Sequence, residues 1–143
     1  MTAPGCAMCG KYGAGGGDLH IVDLEGSRVF LHDDQFFPGY VLLVLRRHAT
    51  ELYELSAAER LTLIEEVSRV AEALARVFQP VKMNYELLGN QVPHIHWHLV
   101  PRLSTDPEPH APIWRVAHEP APLPPAAVRE RIDLIRRALA TAA

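Results

Sequence analysis

Apolar and polar residues alternate along the first half of the chain in a way that predicts short strands. Residues 20–24 and 27–31 are two such strands, and Glu25-Gly26 between them suits the two-residue turn of a hairpin. Residues 40–45 are apolar without interruption, which predicts a strand that is buried on both faces. The first half of the chain therefore supplies three strands of a sheet.

A long amphipathic helix follows these strands. Ser56 is a good N-cap, and Glu59 stands three residues later, as a capping box requires. Between Leu61 and Phe78, apolar residues recur at steps of three and four, which places them on one face of a helix. Pro80 ends the helix because proline lacks the amide hydrogen that the next helical bond needs.

Two more strands and a tail complete the pattern. Residues 81–88 and 94–100 are predicted to be strands, with a turn between them. Residues 103–143 form a tail that is proline-rich at first and helical later. The order of elements predicts a single antiparallel α+β domain over residues 1–143, in which residues 1–17 are a flexible, glycine-rich segment.

Composition limits the classes of partner. The chain has 143 residues, of which 48% are hydrophobic and 22% are charged, as is typical of one globular domain. A net charge of −3 provides no broad positive field, so we expect neither nucleic acid nor a membrane as a partner. Residues 1–10 lack the basic start and the apolar stretch of a secretory signal, and the longest strongly apolar run is too short to span a bilayer. These features predict a cytoplasmic protein.

Three histidines alternate with apolar residues in the last predicted strand. His94, His96 and His98 would share one face, with successive imidazoles about 6.6 Å apart, because side chains alternate along a strand. Ile95 and Trp97 would face the opposite way, toward a core. Three imidazoles on one face need polar surroundings, since burial of polar groups without partners is costly.

Three interpretations fit this pattern. The histidines can be structural groups on a half-exposed strand, or they can hold zinc or iron, for which H-x-H on a strand is a common arrangement. Alternatively, one imidazole acts as a covalent nucleophile while its neighbours orient it or donate protons. Cys6 and Cys9 are the only cysteines, and their C-x-x-C spacing is a second candidate for metal or redox chemistry.

Residues 94–100 resemble the signature of the histidine triad (HIT) family, in which three histidines alternate with apolar residues. Residues 37–44 look like the family's Pro-Gly-His turn and the strand after it, with Tyr40 where histidine is usual. The Pro-Ile-Trp sequence at residues 112–114 resembles a bacterial HIT subgroup with an N-terminal C-x-x-C. The resemblance implies a HIT-like fold, which is an antiparallel sheet with one long helix and a C-terminal helix.

The resemblance also implies a chemistry. In the family the middle histidine is the nucleophile, and here that residue is His96. It would attack the α-phosphate of an adenine nucleotide and form a nucleotidyl-histidine intermediate. Water would then hydrolyse this intermediate and free the histidine, and no catalytic metal would be needed. His98 would contact the phosphate or the leaving group, and His94 would set the orientation and tautomer of its neighbour. The implied protein is a nucleotide hydrolase or nucleotidyl transferase acting on diadenosine polyphosphates or nucleoside phosphoramidates.

The family's phosphate-binding loop before the triad is shortened in this chain. Gly89 and Val92 match its pattern, Asn90 stands where glutamine is usual, and Gln91 stands where a hydroxyl residue is usual. Asn84, in the preceding strand, is also expected to point into the pocket. We therefore expect these five residues to contact the substrate.

A metal site and a homodimer are further implications of the resemblance. Some HIT proteins that begin with C-x-x-C bind a structural zinc ion, and by position the ligands here would be Cys6, Cys9, His48 and His94. The homodimer interface would include residues 56–78 and the strand that follows.

Two other functions remain open from the sequence. One is a metal-dependent hydrolase that holds its metal on His94, His96 and His98, although that segment has no Asp or Glu ligand nearby. The other is a non-catalytic protein that binds nucleotides without turning them over.

Overall fold

The computed structural model describes residues 3–13 and 15–141. It contains a five-stranded antiparallel sheet with the strand order β1-β2-β3-β5-β4. The strands are β1 (His20–Asp23), β2 (Ser27–Leu31), β3 (Val41–Leu45), β4 (Lys82–Leu87) and β5 (His96–Arg102). The helices are α1 (Ala7–Lys11), α2 (Ala57–Phe78) and α3 (Pro125–Thr141). The expected α+β class with an antiparallel sheet and a long helix is thus confirmed.

The local signals around α2 act as the sequence predicts. The Ser56 side chain accepts a hydrogen bond from the Glu59 amide, and the Glu59 carboxylate accepts one from the Ser56 amide. Gln79 takes a left-handed conformation with φ of 49° after the last helical turn, and Pro80 follows. None of the helices in the described ranges is both long and apolar enough to cross a bilayer.

The final strand differs from the prediction at both ends. It was expected over residues 94–100, but β5 begins at His96 and extends to Arg102. The amide of His94 donates to the Val92 carbonyl, which shows that the chain is still turning there. Pro93 has no amide hydrogen and cannot donate a hydrogen bond to a neighbouring strand. His94 therefore does not share the regular strand face of His96 and His98.

The two faces of the sheet are covered differently. Helices α2 and α3 cover one face and bury the main apolar core. The other face, which bears His96 and His98, is covered by the N-terminal segment and the tail. A second apolar cluster forms there from buried side chains of both segments and the sheet, namely Tyr12, Phe30, Phe37, Tyr40, Leu42, Val44, Val100, Ile113 and Val116.

Both termini contain helix. Helix α1 was not predicted, because it lies in the glycine-rich stretch that the sequence indicated as flexible. Tyr12, directly after it, is buried against Phe30, and Arg28 donates to the Tyr12 and Gly13 carbonyls. The C-terminal helix expected over residues 126–143 is α3, and residues 142 and 143 lie outside the described residues.

Candidate active site and metal centre

A cavity of about 470 Å³ opens on the histidine-bearing face of the sheet. His96 and His98 line it from β5. The short loop before the triad lines it as well, through Leu88 and four residues that were expected to contact substrate, which are Gly89, Asn90, Gln91 and Val92. The volume falls in the range of small-molecule sites, about 300–1,000 Å³.

His96 is held in one tautomer by the main chain. Its ring is 5% exposed, and its Nδ1 lies 2.6 Å from the carbonyl oxygen of His94. A carbonyl oxygen can only accept, so the proton of neutral His96 is on Nδ1 and the Nε2 lone pair is free. An imidazole prepared in this way can act as a nucleophile.

His98 is paired with Tyr40. The His98 Nδ1 and the Tyr40 hydroxyl oxygen are 2.6 Å apart, and the His96 and His98 ring centroids are 5.0 Å apart. Burial, with smaller contributions from His96 and His32, lowers the pKa of His98 to about 4, and burial raises the pKa of Tyr40. Both groups are therefore neutral at pH 7. Because an imidazole nitrogen is a stronger acceptor than a phenol oxygen, the hydroxyl donates and the His98 proton is on Nε2.

His94 faces away from this cavity. It is 2% exposed, and its Nε2 lies 2.8 Å from the carbonyl oxygen of Leu45, to which it donates. The proton is therefore on Nε2, and the Nδ1 lone pair points toward the cysteines. Burial lowers the pKa of His94, which favours the neutral form that a metal requires.

Four potential metal ligands meet at this Nδ1. Cys6 Sγ and Cys9 Sγ each lie 3.5 Å from His94 Nδ1, and the His48 Nδ1 lies 3.3 Å from it and 3.6 Å from Cys9 Sγ. A tetrahedral zinc ion with Zn–S of about 2.3 Å and Zn–N of about 2.0 Å has S···N edges of about 3.5 Å and N···N edges of about 3.3 Å. These four separations are the ones that a bound zinc ion needs, and all four donor atoms lie within 4.8 Å of one another.

The hypothesis of a metal on the three triad histidines is not supported by this geometry. His94 directs its free nitrogen to the cysteines, and His96 uses its Nδ1 on a carbonyl. Across residues 3–13 and 15–141, no second group of three or more Cys, His, Asp or Glu side chains converges closely enough to hold an ion.

Asn84, which was expected to contact substrate, is not among the residues that line the cavity. Its Oδ1 accepts a hydrogen bond of 2.9 Å from Arg102, a side chain that is 0% exposed. Arg102 also donates to the Asp106 carboxylate and to the carbonyls of Glu108 and Ala111. Asn84 thus helps to hold the tail loop, because a buried guanidinium needs a partner for each donor.

Several cavity residues were missed by the sequence analysis. Lys11 and Tyr12 line the cavity from the N-terminal segment, where the sequence offers only a glycine-rich pattern. Trp114 lines it from the tail, with its ring centroid 5.3 Å from that of His98 and its Nε1 donating to the Glu86 carboxylate. The Pro-Ile-Trp pattern was a signal for Trp114, but the sequence did not place it beside the triad.

The fold and the site together are those of histidine triad proteins. The chain is an antiparallel α+β domain, and a buried imidazole with a free Nε2 faces a small-molecule cavity. The chain belongs to the HIT domain family, whose sequence model matches residues 18–105. This match confirms the family that the triad signature indicates.

Individual proteins extend the comparison. The chain is 29% identical over 85 residues to the asymmetrical bis(5'-nucleosyl)-tetraphosphatase of Schizosaccharomyces pombe, a match that spans 56% of this chain and about half (47%) of that relative. A crystallised histidine triad protein from Bradyrhizobium japonicum shares 34% identity with a TM-score of 0.78, over 84% of this chain and 89% of its own. A Zn-bound histidine triad family protein from Mycobacterium smegmatis shares the fold, at 21% identity and a TM-score of 0.71 over 95% and 94% of the two chains.

Proposed function

We propose that this protein is a nucleotide hydrolase or nucleotidyl transferase whose nucleophile is Nε2 of His96. The observation that carries the proposal is the 2.6 Å hydrogen bond from His96 Nδ1 to the His94 carbonyl. It leaves the other ring nitrogen unprotonated in a residue that lines the cavity. The S. pombe relative is named as a dinucleoside tetraphosphatase, which supports a nucleotide substrate.

In the first step, the Nε2 lone pair of His96 forms a bond to the α-phosphorus. The bond from phosphorus to the leaving group breaks, and its electron pair stays on the leaving group. A polyphosphate departs as its anion, whereas an amine departs after its nitrogen has taken a proton from water. His98 donates its Nε2 hydrogen to a phosphate oxygen or to the leaving group, because Tyr40 holds its Nδ1.

In the second step, water attacks the phosphorus of the nucleotidyl-histidine. The N–P bond breaks, its electron pair returns to Nε2 of His96, and the proton of the water passes to solvent. The product is a nucleoside monophosphate. If another alcohol or phosphate replaces water, the same step is a nucleotidyl transfer. Splitting the reaction into two displacements lowers the barrier of each one.

The substrates we propose are adenine nucleotides, either diadenosine polyphosphates or nucleoside phosphoramidates. Gly89, Asn90, Gln91 and Val92 line the cavity beside the two histidines. Amide groups from this loop are suited to phosphate oxygens, since backbone and side-chain N–H groups bind anions without carrying a charge.

Cys6, Cys9, His48 and His94 are proposed to hold a structural zinc ion. Two thiolates and two neutral imidazoles form a closed donor set, which holds a structural zinc and leaves no position for substrate. The ion would join the N-terminal segment to the turn before β5, because Cys6 and Cys9 come from the first and His94 from the second. Thiols stay reduced in the cytoplasm, which is the location we propose.

A homodimer is also part of the proposal. Strand β4 is at the edge of the sheet, where its outer hydrogen-bonding groups have no neighbouring strand. On this strand Tyr85 is 47% exposed, and on α2 Ile64 is 46% exposed although the sequence predicted it on the apolar face. Large exposed apolar side chains on an edge strand and on the long helix favour association with a second copy.

The test is AMP release from diadenosine tetraphosphate and from adenosine phosphoramidate in EDTA. At saturating substrate, we expect wild-type release to persist and His96→Ala to lose it by more than about a thousandfold, since no other residue replaces the nucleophile. His110→Ala is the control, because His110 is exposed in the tail.

The alternatives give different results. Wild-type release that is absent in EDTA even at saturating substrate, and is restored by metal, would favour a metal-dependent hydrolase. Nucleotide binding without release under any condition would favour a non-catalytic binding protein. Either result would overturn covalent catalysis by His96.

A further inference from the structure

Helix α1 contributes to two sites at once. Cys6 caps its N-terminus and Cys9 lies within it, so the helix carries two of the four metal ligands. Met8, Lys11 and Tyr12, from the same segment, line the cavity that His96 and His98 line. One short segment therefore belongs to the metal centre and to the wall of the substrate cavity.

Little else fixes the position of α1. The helix has five residues, none of them buried, and so short a helix is not stable on its own. On its C-terminal side, Tyr12 packs on Phe30 with ring centroids 4.4 Å apart, and Arg28 donates to the Tyr12 carbonyl. On its N-terminal side, Met8 is partly buried against the second apolar cluster, and Cys6 and Cys9 meet His94. The ligand cluster thus supplies the polar attachments of this end of the wall.

Lys11 gives the wall a charge. Its Nζ lies 3.0 Å from the Asp33 carboxylate, which lines the same cavity, and both side chains are about half exposed at 47% and 62%. Among the described residues that line the cavity, Lys11 is the one lysine or arginine. A phosphate that enters the cavity therefore has this ammonium group as its permanent positive partner.

We infer that the metal cluster positions α1 as a wall of the nucleotide site, and that Lys11 is the cation this wall supplies to the nucleotide phosphate. The inference rests on the proposed function, since it assumes that the cavity takes a nucleotide. On binding, the Lys11 side chain exchanges part of its contact with Asp33 for the phosphate.

The first experiment compares AMP with adenosine, which lacks the phosphate, in equilibrium binding by calorimetry. We expect Lys11→Ala to weaken AMP binding about three- to tenfold, as is usual for a partly exposed charged contact, and to leave adenosine binding unchanged. Lys11→Arg keeps the charge and should restore most of the AMP affinity. Arg137→Ala removes an exposed cation from α3 and should change neither affinity.

The second experiment removes the metal by chelation and repeats both titrations. Adenosine and AMP should both bind more weakly, because Met8 leaves the wall together with Lys11. Amide hydrogen exchange should accelerate at Gly10 and Tyr12, which donate to the Cys6 and Met8 carbonyls, while α2 stays protected. Cys9→Ser should reproduce these changes.

The possible failures can be told apart. If the wild type binds neither AMP nor adenosine, the proposed function fails. If it binds AMP but Lys11→Ala leaves the affinity unchanged, or weakens AMP and adenosine equally, the assignment of Lys11 to the phosphate is overturned. If chelation leaves both affinities and the exchange at α1 unchanged, or unfolds the whole protein, the local control of α1 by the metal is overturned.

Discussion

Tyr40 stands where the HIT family usually has histidine. Its hydroxyl donates a hydrogen bond of 2.6 Å to Nδ1 of His98. The ring is also stacked on His32, with centroids 4.0 Å apart and planes at 3°. A tyrosine at this position cannot exchange protons with His98 near neutral pH, because burial raises its pKa. Its contribution is to orient His98 and to fix its tautomer.

The first prediction concerns this residue. Tyr40→Phe removes the hydroxyl and leaves the ring, so we expect kcat for AMP release to fall about tenfold with little change in KM. The reason is that a lost buried hydrogen bond costs about 1–3 kcal/mol, and His98 would then divide between two tautomers. Tyr53→Phe is the matched control, since Tyr53 is 81% exposed. An unchanged kcat would show that other contacts set the His98 tautomer.

Single residues also show the limit of the sequence. The triad spacing correctly placed His96 and His98 on one face, because alternation along a strand is a local property. Asn84 was misassigned because its partner, Arg102, is buried in the fold, and a sequence does not state which arginine is buried. His94 was misplaced because the strand starts two residues later than its pattern suggests.

At the scale of elements, α2 and α1 make a contrast. Helix α2 was predictable because its capping box and its apolar period lie within the helix itself. Helix α1 was not, because its two cysteines meet His48 and His94, which are far away in the chain. Elements that are stabilised by long-range partners leave little trace in their own sequence.

The second prediction concerns the docking of the tail. His118 Nε2 lies 2.7 Å from the Asp34 carboxylate, and this hydrogen bond raises the pKa of His118 above its ordinary value of 6.5. The folded protein thus binds the His118 proton more tightly than the unfolded chain does. The stabilisation is full below about pH 6.5 and is lost as the pH rises through the raised pKa.

We therefore expect His118→Asn to lower Tm more at about pH 5.5 than at about pH 8.5, measured by thermal unfolding of both variants in matched buffers. His110→Asn, at an exposed position of the same tail, should change Tm equally and slightly at both values. A pH-independent loss for His118→Asn would mean that only its packing on Phe36 matters.

At the scale of the whole molecule, the sheet has an unequal pair of faces. The helix-covered face is closed, whereas the histidine-bearing face is completed by the N-terminal segment and by the loop that carries Ile113 and Val116. The sequence predicted the sheet and the long helix, because periodicity encodes which face is buried. It did not predict that these two segments would pack on the same face as the histidines, because that packing is made by tertiary contacts alone.

The third prediction concerns assembly. We expect the wild type to be a dimer by light scattering, and Ile64→Glu or Tyr85→Glu to weaken dimerisation at least about a hundredfold, since an unpaired charge in an apolar interface costs several kcal/mol. Leu134→Glu is the matched control, as Leu134 is 40% exposed on α3. A monomeric wild type would overturn the proposed interface.

His94 divides its duties between two kinds of atom. Its imidazole belongs to the cluster of four potential metal ligands, while its main-chain oxygen accepts a hydrogen bond from Nδ1 of His96. Substitution of His94 by alanine removes the imidazole but keeps the hydrogen bond to His96, because every amino acid has the same main-chain carbonyl. A mutational map would therefore score His94 as a ligand alone. If His96 is the nucleophile that we propose, part of what prepares it is a main-chain group, which no side-chain substitution can reveal.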